Sequence, residues 1–274
     1  MQSMNKNMDK KFLISGGGTG GHIYPAIAIA DEIKERFSSS KILFTGSSSR
    51  MEMKKIPENG YKIRGLWISG FNRKNFFSNL LFPLKVIVSL VQSIKILHAF
   101  KPNVVIGTGG FASGPTLFIA NLFRIPIFIQ EQNSYPGITN KILSKYADKI
   151  FVSYDRMEKF FPKEKILNYG NPVRNRFGKA DNIKIEKFIK AYDINKNNKT
   201  ILFLGGSLGS EVMNEFVMNN IDYFEKSNYN VILQCGDRYK NKIKDNKSKN
   251  VIILPFIDQM PTVISCSDLI VSRA

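Results

Sequence analysis

Cysteine and acidic residues are scarce in this sequence, and long apolar runs are missing; each shortage excludes something. Two cysteines in 274 residues, Cys235 and Cys266, exclude a disulfide framework and a cysteine-rich zinc site, and suit a reducing cytoplasm. No His/Asp/Glu cluster has the look of a metal site, so no cofactor is expected, while assistance by a divalent cation stays open. Behind the polar, basic start at residues 1–11, no apolar stretch is long enough for a signal peptide. No run reaches the roughly 20 apolar residues of a membrane span. The most apolar window, 80–97, is interrupted by Pro83, Lys85, Ser89, Gln92, Ser93 and Lys95, which predicts a buried amphipathic helix. Acids number 22 against 40 Lys and Arg, a formal net charge of +18. Such a chain is drawn to polyanions: nucleic acid, an anionic bilayer or phosphate-bearing substrates. Most of the basic residues are Lys, in a chain also rich in Asn and Ile, so codon usage is an equal source of the excess.

With 43% hydrophobic and 12% aromatic residues, wholesale disorder is excluded, and the length fits two domains. Short runs rich in Ile, Val and Phe recur at 12–14, 42–44, 104–106, 127–129 and 150–152, and again at 201–204, 231–233, 251–254 and 269–271. Continuous apolar strands alternating with helical segments, such as 25–37 and 136–146, indicate parallel sheets covered on both faces. The expected class is α/β, doubly wound, occurring twice. The break falls near Gly170-Asn171-Pro172, giving a first domain at 1–170 and a second at 171–274. The sequence stops at Ser272-Arg273-Ala274, directly after a strand that lacks a covering crossover helix. The expectation is therefore a truncated second domain.

Three glycine loops follow three of these strands. The first is Gly16-Gly17-Gly18-Thr19-Gly20-Gly21-His22, the second Gly107-Thr108-Gly109-Gly110-Phe111, and the third Gly205-Gly206-Ser207-Leu208-Gly209. Glycines let backbone N–H groups approach a phosphate closely, and a following helix N-terminus adds partial positive charge. Positions 16, 18 and 21 also satisfy the dinucleotide fingerprint, yet the second strand ends Phe44-Thr45-Gly46-Ser47 with no acid to hold a ribose, which argues against a nicotinamide cofactor. Together the loops predict a cleft between two domains that binds phosphorylated ligands from both sides.

The loops, with Gln130-Glu131-Gln132-Asn133 and Gly170-Asn171-Pro172-Val173-Arg174, resemble the MurG family, peripheral-membrane N-acetylglucosaminyltransferases of glycosyltransferase family 28. The match runs in order over nearly the whole chain. It implies a GT-B fold: two Rossmann-like domains facing a cleft. It also implies inverting transfer of N-acetylglucosamine from UDP-N-acetylglucosamine to the MurNAc 4-hydroxyl of undecaprenyl-pyrophosphoryl-MurNAc-pentapeptide (lipid I to lipid II) in peptidoglycan synthesis. Its setting would be the cytoplasmic face of the cell membrane. By the same resemblance, Gly17, Gly18, Gly109 and Gly110 face the acceptor pyrophosphate. Thr19, Gly20, Gly21, Asn133, Arg174 and Ser207 match donor-site positions, and Ile257 a residue whose backbone reads uracil. Implied partners are the anionic membrane surface and other cell-wall synthesis proteins; nothing beyond charge supports nucleic acid.

The reaction needs a general base near the acceptor hydroxyl. His22, at the end of the first loop and the start of a helix, is the first candidate, since a helix N-terminus disfavours imidazolium. Capping the helix or positioning phosphate is its alternative. Glu131 is the second candidate, with loop organisation as its alternative. Arg73, Lys74, Phe76, Phe77, Leu80 and Leu81 place apolar side chains beside cations, a composition suited to an anionic bilayer interface, although core packing accounts equally well for half of them. Departures from the family pattern are Leu208 in place of a common Gln, Phe111 in place of a common Tyr, and the missing final loop and helices. The last predicts little or no activity for the chain as it stands. Another GT-B lipid glycosyltransferase, of the diacylglycerol type, and a non-catalytic nucleotide-sugar-binding remnant are the competing readings.

Overall fold

The computed structural model describes residues 10–71, 79–173, 181–206, 209–239 and 248–272. The chain divides into two compact units, Met1–Arg174 and Asn175–Ala274. In the first unit the elements run β1 (Lys11–Gly16), α1 (Gly20–Arg36), β2 (Lys41–Ser47), α2 (Glu52–Glu58), β3 (Lys62–Leu66), α3 (Phe82–Phe100), β4 (Val104–Gly109), α4 (Ser113–Leu122), β5 (Ile127–Glu131), α5 (Ile138–Leu143), β6 (Lys149–Val152) and β7 (Ile166–Asn168). The second contains α6 (Asn182–Ala191), β8 (Lys199–Leu204), α7 (Glu211–Asn219), α8 (Ile221–Lys226), β9 (Tyr229–Gln234), β10 (Val251–Leu254), α9 (Met260–Ser265) and β11 (Leu269–Ser272).

Both sheets are parallel, in the orders β3-β2-β1-β4-β5-β6-β7 and β10-β9-β8-β11. Neighbouring strand residues feed opposite cores, as the period of two requires. Leu13, Val105 and Ile129 pack with Leu97 and Leu117 on the face covered by α3 and α4, while Ile14, Ile106 and Phe44 pack with Ile23 and Ile27 of α1. In the second unit Phe203 and Leu233 meet Val217 and Phe224, whereas Leu202 and Ile232 meet Phe188 and Val263. This is the expected α/β class, two Rossmann-like units.

A recurrent device starts the strands. The residue before or at the start of a strand is Asx, and it pairs twice with the adjacent strand: its side chain accepts a backbone N–H and its own N–H is donated to the carbonyl of the same residue. Asn103 does this with Lys11, Asp148 with Ile127 and Asp268 with Thr200.

Three expectations need correction. The helix read at 25–37 begins at Gly20, so Pro25 lies inside α1. The carbonyl it leaves without a helical partner belongs to exposed Gly21, within reach of solvent. The helix read at 136–146 is shorter, α5. The window at 80–97 is helical, as α3, but it is not buried. Only Ser89, Ser93 and Leu97 are, while Leu84, Ile87, Val91 and Ile94 face outward. The serine hydroxyls are satisfied by carbonyls of their own helix, which lets small polar residues be buried on a helix that packs against α4. By length and composition α3 could cross a membrane. Here it is the crossover between parallel strands β3 and β4, tied to the β3 side by Gln92, which accepts from the Trp67 amide, and by Lys85, which donates to Ser69.

Candidate active site

Because β1 lies between β2 and β4, the first two glycine loops meet at the carboxyl ends of their strands. The Gly17 amide is donated to the Gly109 carbonyl at 3.4 Å, and a side chain on Gly110 would strike the Gly17 carbonyl. Beneath this corner lies Glu52, fully buried, whose carboxylate accepts from the Gly18 amide (3.0 Å) and the Ser47 amide (2.9 Å). A Cβ on Gly17 would occupy the same space as that carboxylate. The Gly17 and Gly18 amides are thus donated inward. In the first turn of α1 the His22 and Ile23 amides are donated to the Thr19 carbonyl, at 3.1 and 3.3 Å, which leaves the Gly20 and Gly21 amides as the ones for which helix geometry provides no internal acceptor. Thr19 sits at the N-cap in extended conformation and is exposed.

His22 packs its imidazole over Gly109 and Gly110, where a Cβ would lie 2.9 Å from Nδ1 and 3.3 Å from Cδ2 respectively. Its Nδ1 is 2.9 Å from the Thr108 carbonyl and 2.6 Å from the Gln132 carboxamide, and its own carbonyl accepts from the Thr108 hydroxyl. Burial lowers its pKa below the ordinary histidine value; the Thr108 carbonyl and the charges of Glu131 and Glu52 oppose that shift.

Glu131, at the end of β5, is 1% exposed and both its oxygens are occupied. One accepts from the Asn133 backbone and side-chain amides, the other from the Gly137 amide and the Asn140 side chain, all within 2.9–3.1 Å. The carboxylate therefore shapes the turn that displays exposed Asn133. His22, Glu131, Asn133 and the first two loops come together in one unit. Leu80 and Leu81 are exposed at the start of α3. Arg73, Lys74, Phe76, Phe77, Arg174, Ser207 and Leu208 lie outside the described residues.

In the second unit the third loop turns after β8 and leads into α7. Gly205 donates to the Gln234 carbonyl, and Gly209 lies against the Cys235 carbonyl. Ile257 is buried, with its N–H donated to the Gln234 side chain at 3.2 Å. A cavity of about 550 Å³ beside it is walled by Lys184, Lys187, Tyr192, Phe256 and Asp258. Sequence reasoning missed Glu52 and gave no role to Gln132, which it quoted only as part of the Gln130–Asn133 segment. The one available signal was an acid soon after the second strand, five residues past Ser47.

Parallel sheets that end in glycine corners and helix N-termini define the nucleotide-binding α/β class. Residues 12–152 match the glycosyltransferase family 28 N-terminal domain and residues 200–274 its C-terminal domain, and the chain belongs to that family. A UDP-N-acetylglucosamine–N-acetylmuramyl-(pentapeptide) pyrophosphoryl-undecaprenol N-acetylglucosamine transferase from Flavobacterium psychrophilum is 51% identical over 96% of this chain and 72% of its own length. The transferase of the same name from Christiangramia forsetii is 47% identical over the same shares. Among solved structures, MurG from Acinetobacter baumannii matches with a TM-score of 0.66 and 25% identity, over 97% of this chain and 72% of that one.

Proposed function

We propose that this chain transfers N-acetylglucosamine from UDP-N-acetylglucosamine to the undecaprenyl-pyrophosphoryl N-acetylmuramyl-pentapeptide, with inversion at the anomeric carbon. The observation that carries this is 51% identity, over nearly the whole chain, to a transferase named for that reaction. The MurNAc 4-hydroxyl oxygen bonds to C1 of the sugar, the C1–O bond to UDP breaks, and the hydroxyl proton must go to a base. His22 is that base, since its lowered pKa leaves it neutral near pH 7. Glu131 acts by holding Asn133 and the 132–137 turn. Gly17, Gly18, Gly109 and Gly110 form a floor without side chains. Thr19, Gly20 and Gly21 present the N-terminus of α1 to pyrophosphate, where fixed dipoles stabilise negative charge without reorganising. Arg174 and Ser207 hold the donor phosphates, and the Ile257 backbone reads uracil.

The test is transfer of labelled N-acetylglucosamine to a lipid I analogue. It is run on the 274-residue chain and on the same chain carrying the C-terminal segment of the Flavobacterium relative, of whose length this chain spans 72%. Product from the extended protein is expected; a folded extended protein that binds UDP-N-acetylglucosamine but forms no product overturns the assignment.

The outer face of α3 supports docking on the cytoplasmic face of the cell membrane. Leu80 is 85% and Ile87 60% exposed, and Phe118, Leu122, Ile138 and Ile142 continue the apolar surface on α4 and α5. From residue 59 to 130 there is no Asp or Glu, but Lys62, Arg64, Arg73, Lys74, Lys85, Lys95, Lys101 and Arg124 are present. Apolar insertion and attraction to anionic lipid then add. The double variant Ile87→Ser/Val91→Ser should sediment several-fold less with anionic vesicles; unchanged sedimentation removes α3 from the docking face.

A further inference from the structure

We infer that Gln132 is a positioning residue for His22: its side-chain oxygen faces the imidazole and, with the Thr108 carbonyl, holds the ring as the Nδ1–H tautomer, so that Nε2 is the atom that receives the acceptor's proton. The inference rests on the proposed transfer reaction for its purpose, but not for its geometry.

Nδ1 of His22 faces two groups, the Thr108 carbonyl at 2.9 Å and the Gln132 carboxamide at 2.6 Å. A carbonyl oxygen can only accept, so Nδ1 carries the hydrogen. A carboxamide NH₂ cannot then face the same atom, because two donors would meet. The two ends of a carboxamide have the same shape, and hydrogen-bond accounting decides which faces the ring. With Nε2 toward the ring, Gln132 Oε1 is buried without a partner; with Oε1 toward the ring, that orphan acquires the Nδ1 hydrogen. One rotation removes both conflicts. Thr108 is itself fixed, fully buried, with its hydroxyl donated back to the His22 carbonyl. Its carbonyl belongs to the backbone, which leaves Gln132 as the contact that a change of side chain can tune. The charges acting on the ring are Glu131 at the end of β5 and Glu52 in α2.

The sign of one substitution decides the matter. An oxygen on Nδ1–H stabilises imidazolium, so Gln132→Leu should lower the His22 pKa; an NH₂ there would do the reverse, and its removal would raise it. Gln132→Glu places a carboxylate on the ring and should increase its proton affinity roughly tenfold or more. The chain has two histidines, so imidazole nitrogen NMR resolves His22 against exposed His98 as an internal control. Wild type should show protonated Nδ1 and bare Nε2 in the neutral form. An Nε2–H tautomer, or a His22 pKa that rises or stays fixed in Gln132→Leu, overturns the proposal. If a variant fails to fold, the wild-type tautomer still decides. No readout needs turnover, so failure of the transfer reaction and failure of this geometry are told apart. Where turnover is measured, the acidic limb of kcat/KM should move with the His22 pKa, up in Gln132→Glu and down in Gln132→Leu.

Discussion

The two glycine corners solve one backbone problem and end in different chemistry. In the first unit the corner rests on a buried carboxylate, Glu52, and carries an imidazole on the first turn of a 17-residue helix. In the second, the corner is fastened to the next strand: Gly205 donates to the Gln234 carbonyl, Gly209 abuts the Cys235 carbonyl, and the Gln234 side chain holds Ile257. A glycine corner is therefore a mould for close approach. Proton transfer depends on what the first residues of the following helix bring, and only the first corner brings a histidine.

His22→Ala breaks that contrast most severely. Loss of a general base is worth roughly 10²–10⁴ in rate, while affinity for UDP-N-acetylglucosamine, measured by titration calorimetry, should stay near wild type. Unchanged turnover would remove His22 from the chemistry. Gly209→Ala is the matching blow to the second corner. Its φ of +81° is left-handed and the added Cβ would fall on the Cys235 carbonyl. Gly60 has a φ of +84° with nothing within 4 Å, so Gly60→Ala isolates the backbone cost. Denaturant unfolding should give about 1 kcal/mol for Gly60→Ala and about 3 kcal/mol for Gly209→Ala. Equal losses would show that the corner yields. Glu131→Gln should cost about 2 kcal/mol, because one end of the new amide must face donors. Hydrogen exchange at Asn133 and Gly137 should quicken; protection at wild-type level would mean that the carboxylate does not hold the turn.

Most strands are legible in the sequence because burial on both faces demands continuous apolar runs. The exceptions are instructive. β3 reads Lys-Ile-Arg-Gly-Leu at a sheet edge and β7 is three residues long, so neither has a run to detect. For α3 the period announces a helix but not which face turns inward, and Ser89 and Ser93 give the unexpected answer by bonding within their own helix. The glycine loops and His22 are legible because they are contiguous. Glu52 and Gln132 reach the same corner from α2 and the end of β5, and only the strand order β2-β1-β4-β5 brings them there.

The smallest expected effect separates the Asx devices that start the strands. Asn103 pairs with Lys11 through a neutral amide, whereas Asp268 pairs with Thr200 through a carboxylate that also meets Lys199 at 2.7 Å. The Lys199 ammonium, and after it the Thr200 amide, hold the Asp268 pKa below the usual carboxylate range. A carboxyl more acidic in the folded than in the unfolded chain adds stability above its unfolded pKa and loses it as pH falls through the folded value. Asp268→Ala should therefore lower Tm slightly at pH 7, less so in high salt because the pair is exposed, and least once pH lies below the folded pKa, where only an uncharged acceptor is lost. Asn103→Ala should cost the same at every pH at which the fold persists. Parallel pH profiles for the two variants would mean that the carboxylate at Asp268 serves only as an uncharged acceptor would, and the distinction between the two units at this position would be lost.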